Sequence, residues 1–169
     1  RGKMISLTVA FYGILGVLII YVIFVFNRLV LLHHGINTTF SQVDVLIKKR
    51  VDLLASLEDI VKGCTVHESK TLADIERLRL ISSPAEKFSY SREGFSRLIA
   101  VAEKYPEMKS SENYKQLFKE NVDVENEIMR MRYVYNNVVE KYNNKIEMFP
   151  SNIIADVFHF QKRGFLEFR

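Results

Sequence analysis

A single cysteine, Cys64, among 169 residues excludes an intramolecular disulfide and any cluster of thiolate metal ligands. It stands between Gly63 and Thr65 in a helical pattern, where a small semi-buried side chain is the plain reading. Only three prolines are present, none between Phe26 and Pro84, and seven glycines give an all-helical chain few ways to shape a pocket. Acidic residues are missing before Asp44, whereas Arg1, Lys3 and Arg28 flank an apolar segment. Removing those three from the 24 basic residues leaves 21 against 20 acidic ones, so the formal +4 gives no reason to expect a nucleic-acid groove.

Signatures of catalysis are equally scarce. There is no glycine-rich phosphate loop and no nucleophile elbow. His67 and Glu68 begin a zinc-protease pattern, but Thr71 stands where the second histidine is required. His33 and His34 are adjacent, so on a helix they point about 100 degrees apart and read as a solvated pair rather than metal ligands. His159, between two phenylalanines, reads as exposed or partner-facing. Asp123, Glu125 and Glu127 alternate around a helix and read as a solvated face, not as paired catalytic carboxylates. A non-enzymatic chain without cofactor or metal is expected.

What is present begins with 23 uncharged residues, Met4–Phe26. At the rise of an α-helix they reach roughly 35 Å, slightly more than a bilayer's hydrocarbon core. A buried core helix apolar on every side would be hard for a small domain to cover. A cleaved signal peptide has a shorter apolar run and a small-residue cleavage site, whereas this one meets Asn27 and Arg28. Residues 1–27 are therefore expected to form an uncleaved, single-pass membrane anchor. Gly13 and Gly16 are three apart, not the four of the helix-dimerisation motif. The basic residues on the two flanks nearly balance, which leaves the side of the membrane occupied by residues 28–169 undecided.

Those residues read as an elongated antiparallel bundle of three to four helices, two of them long. Val43, Ile47, Val51, Leu54, Leu57 and Val61 mark one helical face, resumed at Val66, Leu72, Ile75, Leu78 and Ile81. This predicts a helix over about 28–82, with Gly35 and Gly63 the places for a bend. Ser82, Ser83 and Pro84 close it. A shorter helix is expected over 88–104, carrying Phe95, Leu98, Ile99 and Ala102, before a tight corner at Pro106. From Tyr114, the positions Leu117, Asn121, Val124, Ile128, Met131, Tyr135, Val138 and Tyr142 alternate spacings of three and four. This heptad seam, with Asn121 as its polar member, predicts a helix over 111–148 capped by Ser110 or Ser111. Its apolar stripe must lie along the first long helix, along a copy of itself, or both. Beyond Pro150 a fourth helix is expected over 152–163, capped by Ser151 or Asn152. The tail either packs on the end of the bundle or presents Phe165, Leu166 and Phe168, beside Lys162, Arg163 and Arg169, to a membrane interface or a partner groove.

Tyr135-Asn136 and Tyr142-Asn143 repeat at a spacing of seven before Phe149-Pro150. Two helical turns separate them, so the tyrosines stack on the seam and the asparagines lie beside it. They read chiefly as core aromatics flanked by amides that bond across to another helix. With Phe158 and Phe160 they make the candidate set for self-association or partner contact: Tyr135, Asn136, Tyr142, Asn143, Phe149, Phe158 and Phe160.

The same residues carry a family resemblance. Tyr135-Asn136, Tyr142-Asn143, Phe149-Pro150, Asn152-Ile153-Ile154-Ala155 and Phe158-His159-Phe160 resemble the C-terminal signature of the LemA family. Tyr105-Pro106-Glu107-Met108-Lys109 with Glu112-Asn113-Tyr114 is similar to the family's central segment. Ser41-Gln42-Val43-Asp44, Lys48-Lys49-Arg50-Val51-Asp52-Leu53, Val61-Lys62-Gly63 and His67-Glu68 are similar to its first helix. Phe40 stands where many members have Trp, His159 where Gly is common, and the link near Ser82–Ser91 is short. The resemblance implies a protein of the bacterial cell membrane with an N-terminal membrane helix and an antiparallel helical bundle, and without known catalytic activity. Some relatives are tied to magnetosome membrane formation, which hints at membrane organisation. Two functions follow as expectations. One is a homo-oligomeric scaffold or organiser acting on the lipid bilayer. The other is an adaptor presenting the bundle face or Phe-rich tail to an envelope protease or signalling partner.

Overall fold

Sixty-three residues without an internal proline form one continuous helix, α1 (Gly2–Cys64), which passes through Gly35 and Gly63 unbroken. The computed structural model describes residues 2–64 and 80–168, with side chains from Thr8 to Gly63 and from Leu80 to Phe168. The expected continuation of the first helix through Val66, Leu72, Ile75 and Leu78, the His67-Glu68 pair and the Cys64 side chain lie outside the described residues. Among the described residues four further helices follow: α2 (Pro84–Ala102), α3 (Pro106–Ser110), α4 (Glu112–Glu147) and α5 (Ser151–Val157). The protein is all-helical, with no strand among the described residues.

Local chemistry explains where these boundaries depart from expectation. α2 begins four residues before Phe88, because Ser83 accepts from the Glu86 amide and Pro84 occupies the first turn, where its missing N–H costs nothing. Pro106 likewise starts the short α3 where only a corner was foreseen. Ser111, one of the two serines expected to cap α4, accepts from the Tyr114 amide at 3.3 Å. Ser151 does not cap α5: it is buried, with its hydroxyl 2.6 Å from the Lys145 carbonyl and 2.8 Å from that of Met148, and so ties off the last turn of α4. Nor does α5 run to residue 163. His159 adopts a left-handed backbone (φ 57°), the Phe160 amide donates to the Ala155 carbonyl at 2.9 Å and the His159 amide to that of Asp156 at 3.2 Å. That is the Schellman closure, with histidine where glycine is usual.

The chain divides into two compact units, one pairing residues up to Thr38 with Asn136–Phe165, the other pairing Thr39–Tyr135 with the residues from Leu166. In the second unit Val43, Ile47, Val51, Leu54, Leu57 and Val61 are all buried. Val51 to Val61 share a cluster with Phe95, Leu98 and Ala102 of α2, Met108 of α3 and Tyr114 of α4. Val43 and Ile47 share another with Phe88, Val124 and Ile128. The α4 numbers rise as the α1 numbers fall, so these two helices run antiparallel there. Each such side chain removed from water contributes about 1.5–3 kcal/mol before chain entropy is set against it. In the first unit Val25, Leu29 and Ile36 of α1 are buried along with Val139, Tyr142 and Ile146 of α4 and Ile154 and Ala155 of α5. Late in α4 the stripe passes through Val139, which is buried, whereas the expected seam residue Val138 is only half-buried. A straight helix drifts against a strict heptad by about 20 degrees per repeat, which produces such a shift.

Candidate functional site

In the first unit, the candidate residues of the C-terminal signature are largely occupied within the chain. Tyr142 is 1% exposed and meets the edge of the His33 ring at 5.8 Å between centroids. Asn143 clamps the tail with both amide atoms: its Nδ2 donates to the Arg163 carbonyl at 2.8 Å, and its Oδ1 accepts from the Arg163 amide at 2.9 Å. Phe158 and Phe160 pack on Phe26, at centroid distances of 4.7 and 5.8 Å. Asn136 is half-buried. Phe149, by contrast, is 79% exposed.

Held this way, the tail brings Arg163 to His33. The guanidinium donates to the imidazole Nε2 at 3.2 Å, while the Nδ1 is buried without a hydrogen-bond partner. Burial, then Arg163 and His34, lowers the imidazole below its ordinary pKa of 6.5. Burial also raises the Tyr142 phenol. His33 is therefore not half of a solvated pair, although His34 is exposed. Nothing in the adjacency of two histidines separates their roles, because the distinction comes from a tail 130 residues away in the chain.

In the second unit, Tyr135 is buried and its ring tilts against Phe40 at 6.0 Å. Leu166 and Phe168 of the tail pack with the cluster around Phe88, where the Phe168 ring lies 4.4 Å from Phe88 and 5.5 Å from the Arg132 guanidinium. These two residues pack on the helices; Phe165 remains exposed.

The most buried charge in this unit went unforeseen. Arg50 is 0% exposed, 5.2 Å from the Phe88 ring centre and 5.7 Å from that of Phe95. Its Nη2 donates to Glu125 at 3.1 Å, while Nε and Nη1 have no hydrogen-bond acceptor. Burial lowers the guanidinium pKa, and Glu125 opposes that shift. Glu125 also pairs with Arg92 at 3.1 Å, so it joins α4 to α1 and α2 rather than belonging to a solvated face. Spacing held the signal: 47, 50 and 54 share a helical face, as do 121, 125 and 128.

Among the described residues no three His, Cys, Asp or Glu side chains form a group that would hold a metal ion. The interior charges sit in packed contacts, so the arrangement holds helices and tail together. Among the described residues one helix is long and apolar enough to cross a membrane, and only 6% of its most apolar stretch is buried within the fold.

These features define an all-helical protein with an apolar N-terminal helix and a clamped C-terminal tail. Residues 39–169, more than three quarters of the chain, match the LemA family, and the chain belongs to that family. It is also 32% identical over 71 residues to each of two proteins of Paramagnetospirillum magneticum, magnetosome proteins MamQ 1 and MamQ 2. The match covers 42% of this chain and 26% of either relative, so the chain spans about a quarter of their length.

Proposed function

We propose that this chain is a non-enzymatic protein of the bacterial cell membrane, anchored by a single pass of α1, whose helical domain assembles with copies of itself to scaffold or organise a bilayer patch. The observation that carries this reading is the surface of α1. From Thr8 to Phe24 it is almost wholly exposed, including Phe11, Ile14, Val17, Ile20 and Phe24, and among the described residues no other element covers it. Apolar area on that scale calls for lipid or protein cover. Membership of the LemA family and the likeness to two magnetosome proteins support a role at membranes. The interior charges support a structural role, since Arg50 and Glu125 are spent between helices.

Detergent-corrected light scattering on the full-length protein tests the assembly. A defined oligomer that persists on dilution is expected. A monomer at all concentrations would sink the scaffold and favour the adaptor, in which an exposed face meets an envelope protease or signalling partner.

A further inference from the structure

The corner between α4 and α5 carries exposed apolar side chains. Met148 and Phe149 at its tip, and Ile153 and Val157 on α5, are exposed, while Ile154 and Ala155 beside them are buried. Ile153 and Val157, four apart on α5, lie on one stripe, and Phe149 stands in the turn just before that helix.

The height of this corner follows from the register of the first unit. A Cβ on Gly35 would lie 3.4 Å from Val138, and two helical steps earlier on α1 the His33 ring meets Tyr142. Continuing that antiparallel register sets Phe149 level with Val25 and Phe26, where the uncharged run of α1 ends. The far end of α5 gives the same level, because Phe158 packs on Phe26. On α1, Ile23 and Phe24 just before it are exposed as well. Two uncovered apolar faces thus meet at one height.

Basic groups lie immediately beyond it. Arg28 is exposed on α1, and a cleft of about 210 Å³ is lined by His33, Tyr142, His159, Lys162 and Arg163. Glu147 pairs with Lys162 and is the acid in direct contact with this set. An apolar tip below a basic collar is the pattern of a segment lying in a membrane interface.

We infer that the α4–α5 corner is a second bilayer contact: Phe149, Ile153 and Val157 enter the interfacial layer beside α1, and the basic collar meets anionic headgroups. The helical domain is then seated on the membrane at two points instead of swinging on one helix. The inference rests on α1 spanning the bilayer, and its test separates the two.

The chain has no tryptophan, so Phe149→Trp, Phe11→Trp and Tyr133→Trp each supply a single reporter at an exposed position. Tyr133 lies on α4, sixteen residues before Phe149 in the chain. Each full-length variant is reconstituted in phosphatidylcholine vesicles with a minor share of phosphatidylglycerol, brominated either near the glycerol backbone or near the chain ends. Phe149→Trp is expected to lose about half its emission to the shallow bromines and little to the deep ones, as an interfacial ring should. Phe11→Trp should be quenched by the deep bromines and Tyr133→Trp by neither. Quenching of Phe11→Trp without Phe149→Trp overturns the corner and leaves the anchor standing. Quenching of neither removes the spanning helix and the inference together. A blue-shifted but unquenched Phe149→Trp also overturns it, because a second copy or partner then covers the corner. Omitting phosphatidylglycerol should reduce the shallow quenching about twofold where headgroup charge contributes, and unchanged quenching overturns the role given to the collar.

Discussion

Arg50 shows how one residue can be both costly and necessary. A guanidinium without water loses much of its solvation, and a single carboxylate with two ring faces restores only part of it. Glu125→Gln leaves that charge buried without its counter-ion, and should lower unfolding stability by about 2–3 kcal/mol in urea titrations followed by circular dichroism. Arg50→Met with Glu125→Gln removes both charges and keeps the stem's volume, so the double variant should return to within about 1 kcal/mol of the native chain. Equal losses in the single and double variants would show that the pair, not the isolated charge, carries the stability. His159 is the second residue at odds with its place. Its left-handed backbone crowds a Cβ, and His159→Gly should stabilise the protein by about 0.5–1 kcal/mol in the same assay. A destabilised glycine variant would mean that the imidazole makes a compensating contact.

Among the elements, the tail is the one whose position depends on very few bonds. From His159 to Phe168 it has no helix of its own, and Asn143 supplies two of its hydrogen bonds through the Arg163 backbone. Asn143→Ala should therefore leave the melting of the long helices nearly unchanged while trypsin cleaves at Lys162 and Arg163 several-fold faster. The same segment should respond to acid. The His33 pKa lies below its unfolded value of 6.5, so the unfolded imidazole binds the proton more readily. Stability linked to it is complete above pH 6.5 and falls as pH drops below that value toward the folded pKa. Cleavage at Arg163 should rise accordingly between pH 7.5 and 5.5, and His33→Gln should flatten the dependence. The long helices were readable because their stripes repeat over many turns: six α1 positions from Val43 to Val61 are buried as spaced. Tyr142 was readable as core for that reason. The tail's path was not, since Asn143 reaches Arg163 across 20 residues and no periodicity encodes such a clamp. Arg50 escaped because it sits last in a basic run, where charge usually signals solvent, although its spacing placed it on the core face.

For the whole molecule, the distribution of burial along α1 separates the part that packs into the fold from the part proposed as an anchor. Side chains from Thr8 to Phe24 contribute no buried residue, whereas Val25 and Leu29 are buried and Phe26 receives the two tail phenylalanines. If lipid alone covers the earlier segment, deleting residues 1–24 should leave the fold intact. Its stability should change by less than about 1 kcal/mol, its melting point by less than about 4 °C, and it should no longer require detergent for extraction. Deleting residues 1–30 instead removes Val25, Phe26 and Leu29, and with them the seat of α5 and the tail. Two buried aliphatic side chains and an aromatic contact correspond to several kcal/mol, at about 1.5–3 each, so this shorter chain should melt far lower and lose protease resistance at Arg163. Comparable melting of both truncations would show that α5 and the tail do not depend on α1. Unfolding of the longer one would mean that the apolar segment is core after all, and the anchor would have to be abandoned.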